Sequence, residues 1–475
     1  MGTKMLRKED PKLLTGEGKY VDDIHAPGEL WMGMVRSPMA HARIRSVDTA
    51  AAAAHEGVHA VYTGAQLNDM GLWAAPLPCA WPVTDDMVNP PHYPAAAEEV
   101  HHVGEIVAVV LADTRYGAAD AAELVDVDYE VLPAVASVAA ARDSDDLAHS
   151  DLESNKAYHW PLIPDPDALE AAFANAVHTV KAEFEQQRLI PVAMEPRGVL
   201  AIPSPAGGEV TLYSATQVPH ILKVMIAATT GIPESKLRII APAVGGGFGA
   251  KLNVNPDELL AVTLANKLAK PVRWTESRSE AAFSTHQGRG QLQTIELAAD
   301  ADGKLTGVRV HLDADMGAYM MLITPGVPLL GSFLYTGVYD VPAFGFTCDG
   351  YFTTCTPTDA YRGARTVQPA TPSSEPWNMP RRRHGSGPMR SAAGNYVAGG
   401  DKIRETSKPH RLWYSDSGQL TPPTLGAALR SMSGYAQLRP TQQRRPMPVV
   451  PSMLRHRPHC TYLRSGGLAP SRATR

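Results

Sequence analysis

Val244-Gly245-Gly246-Gly247-Phe248-Gly249-Ala250-Lys251 is the stretch on which the fold of this chain turns. An apolar run, Leu237-Arg238-Ile239-Ile240-Ala241-Pro242-Ala243, precedes it and reads as a strand ending at a proline. Asn255-Pro256-Asp257-Glu258 follows and reads as a helix start, with Asn as cap, Pro at the first helical position and two acids in the first turn. Glycines around one aromatic let the backbone approach a ligand closely, and free N–H groups ahead of a helix can hold an anion. A plain tight turn is the alternative reading. A phosphate loop of the Gly-Lys-Ser/Thr type is excluded, because Ala250 precedes Lys251 and Leu252 follows it. Gly245, Gly247 and Ala250 meet only a loose form of the dinucleotide fingerprint, deep in the chain instead of on a first βα unit.

Working outward, Val210 to Ala215 reads as a strand with Thr216-Gln217-Val218-Pro219-His220 at its end, and Ile221 to Thr229 as a helix closed by Gly231. Leu260, Leu264 and Leu268 recur at four-residue spacing, so the helix after the glycine loop lays one face on a sheet. Val272 to Thr275 is a short strand. Gln291 to Ala298 and Leu305 to Asp315 alternate around a Gly303 turn and read as a hairpin. Upstream, Val103 to Ala112 is a buried strand, Thr114 to Leu124 an Ala-rich helix, and Val125 to Leu132 a half-exposed strand with a solvated acidic face. The fold class is α+β. The expected organisation is an N-terminal segment 1–20, an α+β domain 21–138, a linker 139–175, a second α+β domain 176–364 and a tail 365–475.

The totals bound the rest. The chain has 475 residues, enough for two or three domains with full cores, and a net charge of −5. That charge is unevenly spread. From Thr366 onward there are 17 Lys+Arg and 4 Asp+Glu, or +13; of the totals 44 and 49 this leaves 27 and 45, or −18, before it. The tail also holds 14 prolines and little apolar periodicity. It reads as a disordered basic tail. Nucleic-acid binding is disfavoured, since no helix, strand or aromatic stripe organises its arginines. Four cysteines (Cys79, Cys348, Cys355, Cys460) form no C-x-x-C pair, which argues against iron–sulfur or zinc ligation through cysteine by this chain and fits a reducing cytoplasm. Met1 to Tyr20 lacks an apolar signal-peptide core, and no apolar run approaches a membrane span.

The distributed motifs resemble the large, molybdenum-carrying subunit of the xanthine dehydrogenase / aldehyde oxidase / aerobic carbon monoxide dehydrogenase family. Arg7 to Asp23 looks like the family's opening; Arg36-Ser-Pro-Met-Ala-His-Ala-Arg-Ile44 and Val103-Gly-Glu-Ile-Val-Ala108 are similar to its α/β hammerhead domain. Met194-Glu-Pro196, Thr216-Gln217, Gly245–Gly249, Thr285-His-Gln-Gly-Arg289 and Ala360-Tyr-Arg-Gly-Ala364 resemble marks of its first molybdopterin-binding domain. The resemblance covers about residues 5–364. It implies a molybdopterin, often the cytosine dinucleotide, bearing molybdenum. It also implies insertion of water-derived oxygen into a C–H bond of an aldehyde or N-heterocycle. Partners implied are a 2Fe-2S small subunit and an FAD-binding medium subunit.

The same resemblance assigns cofactor contact to Gln217, Gly246, Gly247, Phe248, Gly249, Arg362, Gly363 and Ala364. Gln217 is an amide donor, Phe248 a water shield and Arg362 a planar fork for a carbonyl or phosphate. Glu195 is a carboxylate with either a structural or a functional role, and Tyr361 a packing group. No residue of this chain is expected to ligate the metal or act as the catalytic base, since the family's base glutamate lies in a second cofactor-binding domain. Two departures qualify this. Carbon monoxide oxidisers carry a cysteine where this chain has Tyr361-Arg362-Gly363, and Cys355 does not align with it, which favours a hydroxylase of aldehydes or heterocycles. After Ala364, Arg365 stands where the family has glycine, and everything downstream is unlike the family. The expectation is a frameshift product in the tail and a polypeptide inactive as written, perhaps a remnant that only docks on partner subunits.

Overall fold

The computed structural model describes residues 5–337 and 339–363. The expected tail, 365–475, and Ala364 lie outside the described residues.

Fifteen strands run through the described residues. The first six are β1 (Leu30–Arg36), β2 (Ala42–Asp48), β3 (Val58–Thr63), β4 (Glu99–Val100), β5 (Ile106–Ala112) and β6 (Asp126–Val131). Then come β7 (Lys156–Leu162), β8 (His178–Gln186), β9 (Gly198–Pro203), β10 (Val210–Ser214) and β11 (Leu237–Ile240). The last four are β12 (Val272–Thr275), β13 (Gln291–Ala299), β14 (Leu305–Gly317) and β15 (Ala343–Phe352). They form three sheets, ordered β11-β10-β9-β12-β1-β5-β3, β7-β15-β14-β13-β8 and β4-β2-β6. Strands and helices mix as the α+β reading expects.

The seven-stranded sheet joins the two halves of the sequence. β1 pairs in parallel with β12, Leu30 opposite Val272 and Trp31 opposite Arg273. The seam is held by a buried guanidinium. Arg273 lies fully inside, 3.1 Å from Glu29 and with its Cζ 5.2 Å from the Trp31 ring centre. A buried cation persists only where carboxylate and aromatic face replace its water.

The helix Pro256–Leu268 sits on this sheet. Its first nine residues after Pro256, Asp257 to Ala265, are all buried, which is broader than the one-faced pattern expected from Leu260, Leu264 and Leu268. It packs between the sheet and the helix Pro219–Thr230. Each of Leu259, Leu260 and Leu264 is fully buried, contributing about 1.5–3 kcal/mol of apolar transfer apiece. Its start follows the sequence signals: Pro256 is the first helical residue and Glu258 Oε2 accepts the N–H of Asn255 at 2.9 Å. The helix Pro219–Thr230 ends at Gly231, which takes a left-handed φ of 72°.

The expected linker 139–175 is corrected. It contains β7, which pairs antiparallel with β15, and the helix Pro166–Ala174, which packs on β14 and β15. Acids and prolines suggested a solvated excursion, but they sit where structure uses them. Asp165 caps that helix by accepting the N–H of Ala168, and Pro166 opens it. The connection between β5 and β6 behaves as expected: Arg115–Glu123 is a helix capped by Thr114, whose hydroxyl accepts from Gly117 N–H.

Candidate functional site

The glycine loop leaves β11 at the sheet's edge and is pinned at both ends by one carboxylate. Glu195 Oε2 accepts the N–H of Gly245 at 2.7 Å and the ammonium of Lys251 at 2.7 Å. Lys251 is almost fully buried. Burial pushes its ammonium below the ordinary lysine range, opposed by the charge of Glu195. Glu195 therefore has a structural role, and Lys251 is a staple of the loop rather than a phosphate ligand.

Within the loop the backbone is unusual at three residues. Gly246 and Gly249 have φ of 99° and 96°, and Phe248, which is not glycine, has 55°. A Cβ on Gly249 would stand 2.2 Å from the carbonyl oxygen of Ala360, and one on Gly247 would stand 2.3 Å from Gln217 Oε1. These glycines are required by close approach of other groups. Such left-handed positions cluster where a loop must present its backbone to something else.

Gln217 is fixed against the loop. Its Oε1 accepts the N–H of Gly249 at 2.9 Å and that of Lys251 at 3.4 Å, while its own N–H donates to the Lys251 carbonyl at 2.8 Å. With Oε1 committed to two backbone donors, the amide orientation follows, and Nε2 is left to donate outward. The N–H groups of Gly246, Gly247 and Phe248 find no hydrogen-bond acceptor among the described residues. Three consecutive donors without an acceptor among the described residues, beside a side-chain amide, are groups that suit an anion.

The segment Ala360–Gly363 closes against the loop. Arg362 N–H donates to the Phe248 carbonyl at 2.9 Å, and the Arg362 Cζ lies 5.9 Å from the Phe248 ring centre. No carboxylate among the described residues pairs with the Arg362 guanidinium, and both Arg362 and Phe248 are exposed. Gly363 has φ of 72° at the end of the described segment. The structure thus brings Gln217, Gly246, Gly247, Phe248, Gly249, Arg362 and Gly363 into one neighbourhood; Ala364 lies outside the described residues. Tyr361 packs as expected, with the Arg289 Cζ 4.9 Å from its ring centre.

Several supporting residues carried no role in the sequence reading. Arg289, at φ 68°, donates from Nη1 to the Tyr361 carbonyl and from Nη2 to the Arg362 carbonyl, each at 3.0 Å. His286, buried, lies 3.3 Å from the Ala360 carbonyl and 3.2 Å from Asn253 Nδ2. Buried Asp359 accepts the N–H of Ile323 at 3.1 Å. Burial lowers the His286 pKa and raises that of Asp359. The motif Thr285-His-Gln-Gly-Arg289 carried a signal for these residues, but their partners lie some seventy residues away and no local pattern reveals them.

Behind the loop runs a buried ion lattice. Arg197 donates to Asp257 at 2.6 Å and to Glu276 at 3.0 Å, and Thr285 donates to Glu276 at 2.9 Å. A cavity of about 40 Å³ adjoins it, lined in part by Arg36, His92, Glu105, Arg197, Asp257 and His286. That volume suits a water or two and no organic cofactor. At the loop itself Gly246, Gly247 and Gly249 are half-buried and Phe248 is exposed.

The functional groups here are hydrogen-bond donors and one unpaired guanidinium. They suit an oxygen-rich, anionic or carbonyl-bearing ligand. Comparison with known proteins points the same way. A family model described as molybdopterin cofactor-binding domain matches residues 148–372, and one for the aldehyde oxidase and xanthine dehydrogenase a/b hammerhead domain matches residues 15–133. The chain is 37% identical over 371 residues to the carbon monoxide dehydrogenase large chain of Hydrogenophaga pseudoflava, covering 75% of this chain and 45% of that one. It is 35% identical over 368 residues to the nicotine 6-hydroxylase large subunit of Paenarthrobacter nicotinovorans, covering 76% and 44%. Among solved structures, quinoline 2-oxidoreductase from Pseudomonas putida 86 superposes with a TM-score of 0.81 at 32% identity, over 93% of this chain and 55% of that one. The chain thus spans less than half the length of these two curated relatives. Among the described residues no helix is long and apolar enough to cross a membrane. Cys79, Cys348 and Cys355 are free thiols, and Cys460 lies outside the described residues.

Proposed function

The chain belongs to the xanthine dehydrogenase / aldehyde oxidase / carbon monoxide dehydrogenase family of molybdopterin-dependent oxidoreductases, and from that premise we propose that residues 176–363 form one wall of a molybdopterin site in the large subunit of a molybdenum hydroxylase. The observation that carries the reading is a row of donors: the N–H groups of Gly246, Gly247 and Phe248, without an acceptor among the described residues, beside the side-chain amide of Gln217. These donors fit the oxygens of such a cofactor. Bound there, the molybdopterin supplies a metal centre for two-electron oxidation with water-derived oxygen. Gln217 holds an oxygen through Nε2, and the glycine backbone donates to others. Phe248 covers the site against water, and Arg362 engages a carbonyl or phosphate with its fork. Gly363, at φ 72°, lets the segment turn away.

The substrate class is an aldehyde or N-heterocycle. No cysteine lies on Ala360–Gly363, and the Cys355 thiol points elsewhere, toward the Ala136 carbonyl at 3.5 Å. The likeness to carbon monoxide dehydrogenase large chains supports the second reading, a carbon monoxide oxidiser. Partners are a 2Fe-2S subunit and an FAD subunit, a cytosine dinucleotide form of the pterin is the reading for the cofactor, and the compartment is the cytoplasm.

A proton acceptor is needed to activate a hydroxide for attack. The carboxylate tied into this loop, Glu195, is committed to Lys251 and the Gly245 N–H. With no other carboxylate assigned to this loop, we propose that the polypeptide holds the cofactor weakly and is inactive. Metal analysis of the purified full chain tests both parts. Stoichiometric molybdenum with aldehyde-dependent dye reduction contradicts the inactivity. Reconstitution with molybdopterin that is indifferent to Gln217→Ala and Gly247→Val contradicts the wall.

A further inference from the structure

A second constellation lies on the five-stranded sheet, in the neighbouring strands β14, β15 and β7. The register places Asp313 beside Asp349 and Asp349 beside His159, with His311 and Thr347 paired one step along the same face. His311 Nε2 is 3.1 Å from Asp313 Oδ1 and 4.0 Å from Asp349 Oδ2. One donor atom from each of His311, Asp313 and Asp349 lies within 4.8 Å of the other two. Ligands about 2.1 Å from one ion stand roughly 3–3.4 Å apart, so closing this set takes shifts of less than an ångström or so.

We propose that His311, Asp313 and Asp349 form a binding site for a divalent transition metal ion such as zinc. The set is independent of the molybdopterin reading.

Three observations beyond proximity support it. First, the two carboxylates are aimed. The far oxygen of each is held by a cation, Asp313 Oδ2 by Arg142 at 2.7 Å and Asp349 Oδ1 by Lys156 at 2.9 Å, which turns Asp313 Oδ1 and Asp349 Oδ2 toward His311. His159 Nδ1 at 2.6 Å from Asp349 Oδ1 adds to that hold. Metal sites orient their carboxylates and imidazoles through outer partners of this kind. Second, the imidazole is set by its other nitrogen: His311 Nδ1 lies 2.9 Å from the Thr347 hydroxyl, which can accept the Nδ1 proton when Nε2 carries a metal. Third, the Asp313 and Asp349 side chains are 3% and 12% exposed while that of His311 is 41% exposed, so carboxylates fixed in the sheet meet a solvent-side imidazole, and a hydrated ion has a path in.

Donor chemistry selects the ion. One imidazole and two carboxylates without thiolate suit zinc, nickel or cobalt; magnesium and calcium sites are built from oxygen alone. Arg142 and Lys156 offset the two carboxylates, so coordination and not net charge supplies the affinity. Binding exchanges the Nε2 proton for the ion and releases it to solvent. The ion would tie the parallel neighbours β14 and β15 across the Asp313–Asp349 pair, in addition to their backbone ladder and shared apolar core.

The test is zinc titration of the full chain, followed by calorimetry and by thermal unfolding with and without zinc. The chain has 17 histidines, so the readout is the equivalent lost in a variant. His311→Gln should abolish one equivalent of zinc and the associated rise in unfolding temperature. Thr347→Val should weaken the same equivalent several-fold while the fold is kept. His159→Ala should alter it least. Titrations of wild type and His311→Gln that superpose overturn the site, as does a wild type that takes up no zinc.

Discussion

Glu195 and Lys251 meet at 2.7 Å beneath the glycine loop, and the same Glu195 oxygen takes the Gly245 N–H. One carboxylate thus closes a seven-residue arc. Glu195→Gln leaves the buried Lys251 ammonium without its charge partner, an outcome costing roughly 1–3 kcal/mol in a partly solvated setting. Lys251→Met keeps the apolar stem and leaves Glu195, whose side chain is 18% exposed, to water, so it should cost less. Urea unfolding of both variants checks the order. Equal midpoints for wild type and Glu195→Gln would show the pair is ornamental.

Gly249 is where the loop and the segment Ala360–Gly363 touch. Alanine there meets the Ala360 carbonyl at 2.2 Å and must also hold φ 96°. The backbone strain alone is about 1–2 kcal/mol, and displacement of the segment adds to it. Gly249→Ala should lower stability by at least about 2 kcal/mol. It should also open the Tyr361–Arg362 bond to protease, because Arg362 loses its tie to the Phe248 carbonyl. Cleavage there at the wild-type rate would contradict the coupling.

Local signals carried much of this architecture. Asn255-Pro256 with Glu258 places a helix start without any knowledge of the rest, and Gly303 places the β13–β14 turn. Gly231 closes a helix because only glycine takes its φ cheaply. What stayed hidden is non-local or masked by composition. β15, Ala343–Phe352, is buried along nearly its whole length, so it lacks the alternation that marks a half-exposed strand. β7 sits in an acidic, proline-bearing stretch and becomes a strand only because β15 offers it a ladder. The helix Arg278–Ser284 had a legible capping box, Ser277 with Glu280, that its short length obscured. In the site, Gln217 and the glycines were legible through a motif, whereas the Arg289 clamp on the Tyr361 and Arg362 carbonyls depends on a contact across the fold.

Acid should loosen the junction around His92 and His149. Burial, reinforced by neighbouring imidazoles, holds both down at a pKa of about 3. His92 stacks on Tyr319 at 4.1 Å with Nδ1 partnerless, and His149 stacks on His101 at 4.0 Å. Glu99 and Glu105 face the cluster but pair with His41, His101 and Tyr319. Because the unfolded imidazoles take protons near pH 6.5 and the folded ones near 3, stability from this cluster is complete above 6.5 and lost as pH falls toward 3. His92→Phe should flatten the pH dependence of the urea midpoint between pH 7 and 5. A variant curve parallel to wild type would count against the cluster as its source.

Glu258 pulls in the opposite direction. Its carboxyl is pushed up to about 8 by burial and then by the neighbouring charge of Asp257, and this outweighs the Asn255 N–H and the Ser214 hydroxyl that favour its charged form. The folded state therefore keeps a proton that the unfolded state releases near 4.5. Its contribution is present at low pH and declines as pH rises from about 4.5 to about 8. Glu258→Gln retains the shape, accepts the Asn255 N–H through its carbonyl and donates to the Ser214 oxygen. It should stabilise the chain above pH 8 by at least about 1 kcal/mol, of the order of one pKa unit, and have little effect near pH 4.5. The histidine and Glu258 terms overlap in pH and oppose each other, so the wild-type profile alone cannot separate them. Subtracting the Glu258→Gln profile from wild type isolates the second: a difference that grows toward alkaline pH supports the assignment, and a flat difference refutes it.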